Sequence, residues 1–333
     1  MRSLCKGLFT LAAFSTISAL PVDDVEATVT PSTPPSGSNT TALTAMPSII
    51  DPKFRIENGE KYGGALDSYA VLDAFLTAMA IYASRPFNQP LPPIDQFFNH
   101  GSKVARLSIQ SEASRKMEAG EGMVGLFLCA QRIARAATPF KPAGCTLWYR
   151  VSDVEDRRVG FFVVSSGIVN GATGSSAVVL SQEPEGSFVR AGNNTLLVAR
   201  SDDSRAEDIL TADANGRWVT YIWPKGEDLL QIRFILTILE VLLALASYAQ
   251  SSYQKERFWF KERDWATVEN TRVRMTAHVG AASHTYFDGA VNGLVALVRG
   301  VKEYGRFMET DFEVWEKRGY DTIKTISGRI SRS

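Results

Sequence analysis

Asp228–Ala249 reads DLLQIRFILTILEVLLALASYA, and Leu66–Ala83 reads LDSYAVLDAFLTAMAIYA. Both are helical by composition, and both are apolar around most of their circumference. In the first stretch Arg233, Thr237 and Glu240 fall at i, i+4 and i+7, one narrow polar stripe on a 3.6-residue period. A helix patterned in this way lies mostly buried, against a sheet or between layers. It is also about long enough to cross a bilayer. Two charged side chains within it would each cost roughly 2.5–3.5 kcal/mol near the membrane centre, and the partner stretch carries Asp67, Ser68 and Asp73. Two core helices are therefore expected, with no transmembrane segment in the processed chain.

The two stretches also align. Val71-Leu72-Asp73-Ala74-Phe75-Leu76 matches Ile238-Leu239-Glu240-Val241-Leu242-Leu243, and further matches follow in the same order at an offset of 165 to 167 residues. Phe54–Glu60 matches Tyr221–Glu227, and Arg106–Gln110 matches Arg272–Thr276 with period-two alternation in both. Glu121-Gly122 matches Asp288-Gly289 at the start of a second helix, Arg132 falls on Arg299, and Leu147-Trp148-Tyr149 lies opposite Phe312-Glu313-Val314. Ordered self-similarity at one spacing is the signature of an internal repeat. The expected fold is α+β, with two tandem, diverged βαβαββ repeats over 53–166 and 217–330. Helices would pack on one face of a mixed sheet, and a pseudo-two-fold would relate the repeats. Right-handed crossovers are expected within each. A different strand order would require a hairpin between the helices, hidden in Pro86–Ser102 and in Ser251–Asn270.

Ahead of the repeats, Arg2 and Lys6 precede the apolar run Leu8–Leu20, and Ile17-Ser18-Ala19 ends on a small residue. This is a signal-peptide pattern over residues 1–19. Residues 20–52 are rich in Ser, Thr and Pro and poor in large apolar groups, which predicts a disordered, O-glycosylatable stalk. Asn39 and Asn193 begin N-glycosylation sequons. A Gly/Ser/Asn-rich connection runs over 167–216. The expected location is extracellular. With Cys5 removed alongside the signal, Cys129 and Cys145 remain. A disulfide between them would close a short loop worth about 3 kcal/mol in the chain-entropy treatment, and the matching position Ala296 in the second repeat makes it specific to the first.

Chemistry is sparse. Lys plus Arg and Asp plus Glu both number 36, so the basic excess of a general nucleic-acid binder is missing. The chain contains no nucleophile elbow, His-Glu-x-x-His, Walker loop or Cys-x-x-Cys. No cofactor or metal is expected. His278 and His284, with Asp288 beyond them, flank a strand-to-helix loop where a ligand could sit, although their spacing fits no recognised metal motif. The paired acids Glu60/Glu227, Asp73/Glu240 and Glu121/Asp288 could serve general acid–base chemistry, but turn, cap and surface roles account for them. Trp259 and Trp265 stand among alternating charges as candidate anchors for a partner, or else as an edge strand with one buried face. The expected function is a secreted, non-enzymatic binding or interaction protein of the kind fungi release, with an extracellular protein or glycan as partner and no identified catalytic residue. The alternative is a secreted hydrolase, acting on glycans, with a carboxylate or histidine site between the repeats.

Overall fold

The computed structural model describes residues 50–61, 64–91, 94–100, 103–135, 140–166, 209–212, 216–256, 258–260, 262–278 and 286–333. The signal, residues 20–49 of the stalk, both sequons, His284 and most of the connection lie outside these residues. The described part belongs to one compact unit, Met46–Ser333.

In the first half the chain runs β1 (Phe54–Lys61), α1 (Ser68–Ala83), β2 (Ile94–His100), β3 (Lys103–Ser111), α2 (Ala119–Arg135), β4 (Ala143–Arg150) and β5 (Asp156–Ser166). A short β6 (Ile209–Ala212) leads into the second half: β7 (Trp218–Asp228), α3 (Gln231–Tyr248), a one-turn α4 (Ser252–Glu256), β8 (Arg263–Val268), β9 (Thr271–Ala277), α5 (Tyr286–Tyr304), β10 (Met308–Arg318) and β11 (Asp321–Arg332).

The strands form two sheets, ordered β1-β4-β5-β3-β2 and β6-β7-β10-β11-β9-β8. Every ladder in both is antiparallel. This corrects the expected mixed sheet with parallel neighbours. Alternating directions make β1 and β2 run the same way, yet they form opposite edges of their sheet, with α1 joining them. Likewise β3 and β4 run the same way with β5 inserted between them. The hairpin hidden between the helices is present in both halves, as β2–β3 and β8–β9. Each half therefore has five strands in the order βαββαββ rather than four. The extra strands were obscured because neither IDQFFNH in β2 nor RDWATV in β8 alternates strictly between apolar and polar residues.

Helices α1 and α2 lie on the first sheet and α3 and α5 on the second, and the helices of the two halves pack on one another. The layers are sheet, helices, helices, sheet. The helical faces meet, and the outer face of each sheet points to solvent. This explains why α1 and α3 are apolar almost all round: each touches a sheet on one side and helices on the other. Val71, Leu72, Phe75, Leu76, Ile238, Leu239, Leu242 and Leu243 are fully buried. By length and composition α3 could cross a membrane, but here it is enclosed by protein.

Local chemistry fixes the helix starts. The Asp67 carboxylate accepts from the Ala70 amide at 2.9 Å and caps α1. At the start of α2, Glu121 accepts from the Glu118 amide at 3.0 Å, the reach-back half of a capping box. Close approach of helix to sheet depends on glycine at Gly125, where a Cβ would stand 2.1 Å from the Phe162 ring, and at Gly293, 2.3 Å from Val314.

Candidate functional site

The interior of the helical layers contains few ionic contacts, each with a definite role. Asp73 on α1 pairs with Arg299 on α5 at 3.2 Å, and the same guanidinium donates to Thr77 Oγ1 at 3.0 Å, which ties the halves together. On α3, Arg233 pairs with Glu269, and Thr237 donates to the Arg233 carbonyl at 2.7 Å. The third member of that stripe, Glu240, has a buried carboxylate oxygen with no partner, and burial raises its pKa to about 7. Lys255 of α4 is buried and donates to the carbonyls of Ala83 and Arg85 at the end of α1, with its ammonium 4.7 Å from the Phe287 ring centroid. Burial lowers its pKa to about 8 against the opposing pull of Asp288. This lysine supplies the cation that the C-terminus of α1 lacks in its own last turn.

The acids expected in pairs do not converge among the described residues. Glu121 binds Arg115 and Arg157, Glu227 binds Arg332, and Asp73 is committed to Arg299. His278 bonds through Nε2 to Ser327 Oγ at 2.9 Å on the outer face of the second sheet, and burial lowers its pKa, with Lys324 acting in the same direction. Asp288 is in the first turn of α5, where burial raises its pKa against the pull of Arg217 and Lys255. The two side chains thus answer to different neighbours. No group of three metal-ligating side chains occurs among the described residues.

Of the two readings of Trp265, the edge strand with one buried face is the one found, and the anchor for a partner is not. It lies on edge strand β8 with its ring only 1% exposed, between Phe260 at 4.9 Å, Tyr248 at 6.0 Å and Phe258 at 6.1 Å. It is core, because β8 turns that face onto α3. Trp259, in the preceding loop, is 41% exposed. The expected bridge between Cys129 and Cys145 is not formed here. No disulfide joins them: both are buried thiols, and burial holds the Cys129 pKa well above its ordinary value, with Cys145 as its hydrogen-bond partner.

The richest surface was not singled out from the sequence. On the outer face of the second sheet, Tyr221 and Trp223 of β7 have centroids 6.1 Å apart and planes within 11°, and Trp315 of β10 meets Tyr221 edge-on at 6.0 Å. All three rings are half-buried. Trp315 donates from Nε1 to Glu313 at 3.0 Å, and Lys324 donates to the same carboxylate at 3.0 Å. Across the strands the next row runs Trp223, Asp311, Arg329, Arg274, Asp264. The rings thus continue into a strip of interlocked charges, ending in a depression of about 310 Å3 lined by Arg272, Arg274, Glu309, Arg329, Ser331 and Arg332. Period-two spacing of Tyr221, Trp223, Arg272, Arg274, Arg329 and Ser331 was the available signal, but only the strand order brings them onto one surface.

No known protein family matches the chain, and no curated protein matches it. Among solved structures the chain is similar to one titled "Crystal structure of bifunctional dehydratase-cyclase domain in ambruticin biosynthesis", at 12% identity over 85% of this chain and 92% of that one. The TM-score is 0.14, and this likeness carries no argument. The class established by the fold is an α+β protein with two antiparallel sheets enclosing its helices.

Proposed function

We propose that this is a secreted, non-enzymatic binding protein, made of two diverged copies of a βαββαββ unit related by a pseudo-two-fold. In this reading it engages an extracellular glycan through the outer face of the β7-β10-β11-β9 sheet. The observation that carries the proposal is the continuous surface of Tyr221, Trp223 and Trp315 beside Asp311, Glu313 and Lys324. Aromatic rings accept the C–H face of a sugar, and carboxylates already held by Trp315, Lys324 and Arg329 accept its hydroxyls with little ordering cost. Protein partners call for a contiguous apolar centre, and here ion pairs interrupt the rings.

Register supports the duplication. Leu107 pairs with Val164 as Val273 pairs with Ile330, both positions shifted by 166 residues. A bulge falls between Leu147 and Trp148 in one half and between Val314 and Trp315 in the other. This places Trp148 on Trp315, two residues away from the match that the sequence favours. The secretion reading rests on the first 52 residues.

The test uses full-length protein expressed with its leader and collected from the medium. Its intact mass should lack residues 1–19. Immobilised polysaccharides should retain it, and Trp223→Ala or Trp315→Ala should weaken retention at least tenfold without changing the melting temperature. Retention unaffected by either change would refute the proposed surface.

A further inference from the structure

Arg274 and Arg329 lie directly opposite one another on β9 and β11, and two residues along, Arg272 lies opposite Ser331. Like charges directly across a ladder repel, so this placement needs compensation. It comes from the flanks. Arg274 is held by Asp264 at 2.9 Å and Glu262 at 3.5 Å, and Arg329 by Glu309 at 3.3 Å and Asp311 at 3.7 Å. Arg332 is held by Glu227 and the Asp228 carbonyl. Arg272 differs. Among the described residues it contacts only Ser331 Oγ, at 3.5 Å through Nε, and no carboxylate pairs with it. Among the described residues its two terminal amino groups are uncommitted, in a depression whose other guanidiniums are already fixed.

We infer that the Arg272 depression receives an oxyanion, the sulfate ester or carboxylate of an acidic polysaccharide, while the adjacent rings hold the sugar chain. This rests on the glycan-binding reading above and narrows its ligand. A guanidinium presents paired donors that match both groups bidentately. Among the described residues the site offers one guanidinium without a paired carboxylate rather than a basic field, which fits one anionic group per few sugars better than the dense charge of a nucleic acid.

The full-length secreted protein is passed over immobilised dextran sulfate, polygalacturonate, unsulfated dextran and single-stranded DNA. Retention is expected on one or both acidic polysaccharides, lost as salt rises. Preference between them separates sulfate from carboxylate. Arg272→Gln should weaken that retention at least tenfold, Arg272→Lys less, and neither should move the melting temperature. Arg106→Gln, on the other sheet, should leave binding unchanged. Equal retention on unsulfated dextran, undiminished by Arg272→Gln, would overturn the oxyanion inference and leave the glycan face standing. Equal loss from Arg106→Gln, stronger retention on DNA, or no retention on either acidic polysaccharide would also overturn it. The tryptophan variants test the broader reading separately.

Discussion

Arg106 faces Ser165 across one sheet and Arg272 faces Ser331 across the other, but two residues along, Ser108 faces Val163 where Arg274 faces Arg329. Backbone register is shared while the outer surfaces differ. The inner faces must fill a close-packed core, where a wrong volume costs stability directly. The outer faces meet water, where most substitutions are nearly neutral. The outer face is therefore where two halves of like strand order can carry different chemistry. The helical layers show a second contrast. Asp73 finds Arg299, whereas Glu240 and Arg132, at the matching positions, do not meet. Arg132 donates instead to the Asn58 side chain at 3.2 Å, and Glu240 remains alone.

The strongest test of this asymmetry concerns the aromatic cluster under β8. Trp265→Ala should cost about 3–5 kcal/mol, as large buried rings do. Trp259→Ala, a few residues away, should stay within about 0.5 kcal/mol. Denaturant midpoints for the two variants would decide it, and similar losses would contradict the burial difference.

Glu240 gives the next largest effect. Its folded pKa of about 7 lies above the ordinary 4.5, so the folded state binds the extra proton. Stability is then fullest below pH 4.5 and declines as pH rises toward 7, by at most about 3 kcal/mol for this group. Glu240→Gln should melt higher than the parent at pH 8 and equally at pH 4. Parallel melting curves across that range would mean that the carboxylate is paired or hydrated.

The smallest contrast is between the two ionic positions. Asp73→Asn should cost about 1–2 kcal/mol, since it leaves a partly buried guanidinium without its counter-charge. Arg132→Gln should cost less than about 0.5 kcal/mol. Equal costs would mean that Arg132 does pair with Glu240 in solution.

Much of the scaffold was legible from the chain. The apolar runs at Leu66–Ala83 and Asp228–Ala249 located α1 and α3, the i, i+4, i+7 stripe separated Arg233, Thr237 and Glu240 from the core, and alternation located β3 and β9. β2 and β8 were legible only as the alternative, a hairpin within Pro86–Ser102 and Ser251–Asn270, because neither strand alternates strictly. The role of Trp265 was also open, because a tryptophan among charges reads as exposed until its neighbours Tyr248, Phe258 and Phe260 are placed around it.

The long helices and the alternating strands were fixed by the amino-acid order alone, since these follow from residue periodicity along one segment. Only the tertiary structure decided that the sheets are antiparallel, that the helical faces meet, and that Tyr221, Trp223, Trp315, Arg272, Arg274 and Arg329 share a surface. Those relations depend on which strand lies beside which. Pairing energy between distant segments leaves no periodic trace within either one.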